Sequence, residues 1–257
     1  MTTVNDVLRY LDTIAPRDMK MEWDNVGLLC GRGDQPVSKI LVALDPFESV
    51  CREAAEIGAD LIVTHHPLIF KPLNAVADDT PVGRAVMCLI SNGISAINAH
   101  TNLDCAEGGV NDCLASALGL SNIHTISSDS YGLLRQGTVE SQSIESFMAH
   151  IKEVLGCPGL RYVSAGKPVN CVAVGGGSCG DMLEDVVQAG CDTFITADVK
   201  YNQFWDAKEY GINLIDAGHF YTENPVCQYL ANKLAEHFTD IPVEVSRKHT
   251  DCAKFFY

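Results

Sequence analysis

The sequence predicts an α/β fold of two interlinked lobes. Short apolar runs alternate with stretches of helical periodicity, three of those runs end abruptly in histidines and carboxylates, and a polar interval near residues 121–131 separates two such series. Each run is about five residues long and reads as a buried strand. The polar cluster after it then falls at the strand's carboxyl end, where open α/β sheets hold their ligands.

In the first lobe, Val4, Val7, Leu8, Leu11 and Ile14 recur at helical spacing over residues 3–15, and Pro16 stops the helix. Residues 40–44 form a strand, 50–57 a helix and 61–63 a second strand. A helix over 82–91 is closed by Asn92 and Gly93 and leads to a strand over 94–99; 109–118 is the next helix. The Ser-rich, aperiodic stretch 121–131 is the connection between lobes, which sets the domains at 1–125 and 126–257. Beyond it, Ser143 caps a helix that runs to Leu155 and ends at Gly156. Strands follow over 169–174, 193–196 and 212–215, with a helix over 182–189 after the first. A long helix near 224–238 and a short strand over 243–245 complete the fold, and these last elements can pack back on the N-terminal lobe. There is no internal repeat at a solenoid period.

Composition narrows the function classes. At 257 residues, 47% hydrophobic and 20% charged, the chain can bury a large core. A formal charge of −15 argues against a protein that coats nucleic acid, because such binding neutralises phosphates with Lys and Arg. The opening residues have neither the basic region nor the apolar core of a signal peptide, and no run approaches the ~18 residues that span a bilayer. A cytoplasmic protein is expected. Eleven cysteines without any C-x-x-C pair do not suggest a disulfide framework or a zinc ribbon, and most read as small buried hydrophobes. Cys105, next to Asp104, would tend to face away from its neighbour.

The chemistry concentrates in the three polar clusters. One holds His65 and His66, one His100 and Asp104, one His219 and Glu223. Adjacent imidazoles are a poor way to fill a core; at a strand end they point to opposite sides of the chain, so that their ring nitrogens can straddle a site and serve two ions. His100 and Asp104, like His219 and Glu223, are spaced i, i+4, which puts both members on one face of a helical turn. Two or three imidazoles with two carboxylates exceed the needs of one tetrahedral ion, whereas two ions about 3.5–4 Å apart would use them all. If the strands are parallel the clusters converge, giving a dinuclear metal site between the lobes.

Two further motifs invite a ligand. The turn 174–180, with Gly175, Gly176, Gly177, Ser178 and Gly180, follows an apolar strand and precedes a helix, so Gly176 and Ser178 could cradle phosphate, with Lys200 as a partner. It is neither a P-loop nor a dinucleotide fingerprint, and a tight packing turn explains the glycines equally well. Trp23 sits between Glu22 and Asp24 outside any helical pattern. It could stack on a base at a pocket rim, or plug the core under the first helix while Asp24 turns the chain.

Glu22 through Leu28, Thr64 through Leu68, Ala99 through Asp104, and Asp216 through His219 with Thr222 and Glu223, together resemble the signatures of the GTP cyclohydrolase 1 type 2 homologue family, also called the Nif-three-like family. The match spans nearly the whole chain in order and spacing. The resemblance implies an α/β protein with a dinuclear metal site, assembled as a ring-shaped homohexamer. It implies His65, His66, Asp104, His219 and Glu223 as metal ligands, with His100 at or beside the site. One departure is plain: where the family has Thr-Gly-Asp-x-x-x-His, this chain has Thr196-Ala197-Asp198-Val199-Lys200-Tyr201-Asn202, which puts in doubt any role for an imidazole at 202.

The expected function is that of a metal-dependent, hydrolase-like enzyme. Two divalent ions (zinc, manganese, iron or nickel) would lower the pKa of a bound water from 15.7 to about 7 and polarise a substrate oxygen, with Glu223 or Asp104 as bridge and with Glu223 and His100 as the catalytic candidates. A small-molecule substrate of the purine nucleotide class follows from the resemblance. The alternative is a metal storage or delivery protein that acts through partners; open coordination positions would favour catalysis, a closed protein-ligated pair the carrier.

Overall fold

The computed structural model describes residues 1–256. The chain divides into two compact units, the first made of Met1–Glu107 and Val226–Thr250, the second of Gly108–Pro225 and the segment from Asp251 onward. The polar stretch expected as a connection is partly structured, since residues 121–125 form a strand. Helix 110–117 belongs to the second unit because its Leu114 and Ala115 share a core with Phe147, Ile151, Val172 and Val174. The division therefore falls at residues 107 and 108, ahead of the expected 125 and 126.

In the first unit a five-stranded sheet contains β1 (Gly27–Cys30), β2 (Ile40–Ala43), β3 (Leu61–Thr64), β4 (Ser95–Asn98) and β11 (Val243–Val245), in the order β1-β4-β3-β2-β11. β11, β2, β3 and β4 are mutually parallel, in registers such as Val245 with Val42, Val42 with Val63 and Val63 with Ile97. β1 joins antiparallel at the edge, Gly27 opposite Asn98. β2, β3 and β4 are buried at every position; β2 is wholly apolar, β3 is apolar up to Thr64, and β4 buries Ser95 and Asn98 beside Ala96 and Ile97. α1 (Val4–Ile14) is started by a capping box, in which Thr3 Oγ1 accepts from Asp6 N and Asp6 Oδ2 accepts from Thr3 N. Val50, Cys51 and Ala54 of α2 (Glu48–Glu56), with Ala85, Val86 and Leu89 of α3 (Pro81–Ser91), pack on Leu41, Ile62 and Ala96. Burying one such Leu or Ile stabilises by roughly 2–5 kcal/mol relative to Ala. α4 (Thr101–Cys105) follows β4 directly.

The second unit begins with α5 (Val110–Ala117) and is built on a six-stranded sheet, order β5-β6-β8-β9-β10-β7. Its strands are β5 (Ser121–Thr125), β6 (Arg135–Gln142), β7 (Arg161–Val163), β8 (Val169–Val174), β9 (Thr193–Thr196) and β10 (Asn213–Asp216); the last three are parallel. Alternate residues sort into two cores. Val172, Val174, Ile195 and Ile215 join one, while Ala173, Phe194 and Leu214 join the other, as a strand pleat requires of a sheet covered on both faces. Its helices are α6 (Ile144–Leu155), α7 (Leu183–Gln188), α8 (Tyr201–Tyr210) and the short α9 (His219–Glu223). Ser143 caps α6 and Gly156 ends it at φ +68°. The long α10 (Pro225–His237) follows α9, and all but its first residue counts with the first unit. Among the described residues no helix is long and apolar enough to cross a membrane.

Candidate metal ligands

Parallel pairing of β2, β3 and β4 brings their exits to one edge of the first sheet. Asp45 follows β2, His65 and His66 follow β3, and His100 with α4 follows β4. Because β1 is antiparallel, its start lies at that edge too and brings Asp24. His65, His66 and His100 each offer a ring nitrogen within 4.8 Å of the other two. His65 and His66 do not diverge as a regular strand would make them: the pleat ends at Thr64, whose hydroxyl donates to the His66 carbonyl at 2.7 Å, and the two ring centroids are 4.9 Å apart.

Each of these imidazoles is held through Nδ1 by an oxygen. His65 Nδ1 lies 3.0 Å from the Ala99 carbonyl, His66 Nδ1 2.8 Å from Asp45 Oδ1, and His100 Nδ1 2.8 Å from Asp24 Oδ1. Carbonyls and carboxylates only accept, so Nδ1 carries a proton, which leaves Nε2 as the ring atom that can offer a lone pair. His65 Nε2 is 3.5 Å from Asp104 Oδ1. The acidic partners are themselves fixed. Burial pushes the Asp24 carboxyl up, but hydrogen bonds from His100 and from Thr101 N and Oγ1 outweigh it and hold Asp24 well below the usual carboxylate range. Asp45 is depressed likewise: burial is outweighed by hydrogen bonds from His249 and His66.

In the second unit, β9 and β10 exit together, placing Asp198 beside His219 at the start of α9. His219 Nδ1 is 2.7 Å from Asp198 Oδ2, and Nε2 is 3.0 Å from Glu223 Oε2, the contact that the i, i+4 spacing predicts. Asp198 reaches this position with φ +51°. The Gly-rich turn after β8 packs against this pair. A Cβ on Gly177, at φ +64°, would collide with Glu223 Oε1 and lie 3.1 Å from His219 Nε2, so a larger residue would strain the backbone and push this carboxylate aside.

That packing decides how the turn's donors are used. Gly175 N donates to Ile195 O, Gly176 N to Asn111 Oδ1 at 2.7 Å, Gly177 N to Thr222 Oγ1 at 3.1 Å and Cys179 N to Thr196 Oγ1 at 3.1 Å. Ser178 is exposed, and Lys200 Nζ pairs with Asp181 at 2.9 and 3.0 Å. The Gly176 N–H is thus engaged within the fold, Ser178 is open to solvent and Lys200 faces Asp181, while the turn packs against the buried Glu223 carboxylate. Asn202 is exposed on the first turn of α8, its amide 3.4 Å from Asp206.

Comparison with known proteins completes the picture. A model of the Duf34/NIF3 (NGG1p interacting factor 3) family matches residues 2–252. The chain belongs to this family. A Clostridium perfringens protein named GTP cyclohydrolase 1 type 2 homolog is 36% identical over 260 residues, covering 98% of this chain and 99% of the relative. Among solved structures, a Staphylococcus aureus hypothetical protein superposes with TM-score 0.91 at 32% identity over 99% of both chains. A Bacillus cereus protein related to NIF3 gives TM-score 0.93 at 25% identity, over 100% of this chain and 99% of the other.

The donors of this NIF3-family chain fit a divalent cation. Imidazole nitrogens with carboxylates suit zinc, manganese, iron or nickel, and metal-bound histidines characteristically give their second nitrogen to an oxygen acceptor, as His65, His66, His100 and His219 do here. Sequence reasoning missed the acceptors Asp45 and Asp198 and left Asp24 as a turn residue. Their shared signal was position, since Asp45 and Asp198 each lie two residues past a strand end. Trp23 is 63% exposed and does not plug the core; it meets Phe70 edge-on at 5.9 Å and His100 at 6.3 Å.

Proposed function

We propose that this protein is a metal-dependent, hydrolase-like enzyme acting on a purine nucleotide or a related phosphorylated heterocycle. The observation that supports it most is the group of three imidazoles at one sheet edge, each with Nδ1 committed to an acceptor. His65, His66 and Asp104 of the first unit, and His219 and Glu223 of the second, would hold two divalent ions. When bound, such ions supply Lewis-acid chemistry: they polarise a phosphoryl or carbonyl oxygen and make water nucleophilic near neutral pH. The chain's own residues supply orientation and proton handling. Asp45 and Asp198 fix the rings of His66 and His219, and His100 Nε2 accepts a proton while Asp24, ionised beside Nδ1, stabilises the imidazolium that results. The purine class rests on the names of relatives such as the Clostridium perfringens protein.

The test is a panel of nucleotides offered to protein loaded with one metal at a time. Consumption should rise with pH through neutrality, and Glu223→Gln should abolish it while the fold is kept, because an amide cannot supply the anionic donor. Fully loaded protein that consumes nothing, yet yields its metal to a modest chelator within minutes, would establish the storage or delivery role instead.

A further inference from the structure

We infer that His249 is a positioning residue that acts on His66 through Asp45. The order β3-β2-β11 and their parallel registers align three strand exits, and each contributes one member of a chain of contacts. Asp45 accepts from His66 Nδ1 through Oδ1 at 2.8 Å and from His249 Nε2 through Oδ2 at 3.0 Å. An ionised carboxylate donates nothing, so both facing nitrogens carry protons. Holding both oxygens fixes the carboxylate plane, and that plane fixes the His66 ring.

The segment carrying His249 is built for this placement. Ser246 N donates to Val42 O at 2.8 Å, continuing the β11 to β2 pairing past its end. Glu53 of α2, 7% exposed, then takes the next donors: the Ser246 hydroxyl, Arg247 N at 2.8 Å and Lys248 N at 3.3 Å. Ser246 Oγ in turn accepts from His249 N at 3.1 Å. A carboxylate buried in the interior is expensive unless it is hydrogen-bonded, and here its bonds organise one short turn. The His249 side chain is 5% exposed, and the Phe47 ring lies 5.8 Å from its ring. A solvated tail would need neither the buried Glu53 nor the buried imidazole.

The inference rests on the reading of His66 as a metal ligand, so its test has one readout that needs no metal. Three proteins are compared: wild type, His249→Leu, which removes the donor, and His249→Gln, whose amide can still reach Asp45. Should His249→Leu fail to fold, His249→Asn, with a shorter amide, replaces it. In metal-free protein labelled with 15N-histidine, His66 should show a single Nδ1–H tautomer in wild type and in His249→Gln, and a mixture in His249→Leu. Zinc, titrated against a chelator, should bind about threefold to tenfold more weakly to His249→Leu, less than the 10–100-fold loss typical of removing a direct partner of a ligand. His249→Gln should restore it. Unchanged tautomer and affinity in His249→Leu, or equal damage in both variants, would overturn the inference. If wild type takes up no zinc, the metal reading fails, and the tautomer alone decides the role of His249.

Discussion

The two units use one device in two settings. In both, an imidazole near the exit of a parallel strand gives Nδ1 to an acid at the end of a neighbouring strand: His66 to Asp45 after β2, His100 to Asp24 before the antiparallel β1, and His219 to Asp198 after β9. The first unit gathers three imidazoles from two strands, with His65 wholly buried and His66 and His100 side chains 19% and 16% exposed. The second sets one imidazole, 36% exposed, against a carboxylate four residues on in the same short helix. The first set is a product of sheet register and buried acids; the second is local, and depends on one glycine turn. Different substitutions should therefore break each.

Removal of the acidic partners should show the largest contrast. Asp45→Asn, which removes the partner of His66 at a side chain 20% exposed, should weaken zinc binding about 10–100-fold, whereas Asp198→Asn, at a side chain 56% exposed where water competes, should cost less than about tenfold. Competition titration against a chelator measures both; equal losses would erase the distinction between buried and exposed settings.

Next in size is the glycine turn. Gly177→Ala should destabilise by about 1–2 kcal/mol through its left-handed backbone, and further through the clash with Glu223. Gly190→Ala, at φ +77° with nothing within 4 Å of the added Cβ, should show only the backbone cost, about 1–2 kcal/mol. Urea unfolding of the two side by side isolates the contact with Glu223. A Gly177→Ala variant no worse than Gly190→Ala would mean that the turn does not hold the carboxylate.

Smaller effects come from titration and from the surface. Asp24 is depressed in the folded protein, so its contribution is fully present above the ordinary carboxylate value of about 3.9 and is lost as pH falls through the lower folded value. The stability difference between wild type and Asp24→Asn, followed by urea unfolding of metal-free protein, should thus be constant above about pH 5 and shrink on further acidification. A difference that grows toward acid would reverse the assignment. Trp23→Ala should change stability by less than about 0.5 kcal/mol in the same assay, because the ring is 63% exposed.

What the sequence shows best is what burial enforces. β2 and β3 are buried at every residue, so their apolar runs announce them, and with β3 the exit that carries His65 and His66; β4, equally buried, shows itself only through Ile94, Ala96, Ile97 and Ala99 around Ser95 and Asn98. β5 alternates little and is mostly exposed, β7 has three residues, and β1 is a four-residue edge strand; none buries enough to leave a pattern. The same logic governs the ligands. His219 and Glu223 are visible because i, i+4 is a local relation, whereas the pairing of His100 with Asp24 spans 76 residues and exists only once β1 lies antiparallel to β4. The glycine turn is ambiguous in the sequence because phosphate cradles and tight packing turns use the same residue, and its contacts with Asn111, Thr222 and Glu223 are long-range and leave no local signal.

The claim that both units carry metal ligands is tested most directly by counting metal per chain after loading and gel filtration, in wild type, His65→Ala and His219→Ala. About two ions per chain in wild type, with at least one lost in each variant, is the predicted result. A folded wild-type protein that retains no transition metal under any loading condition, or variants that retain the full complement, would contradict it.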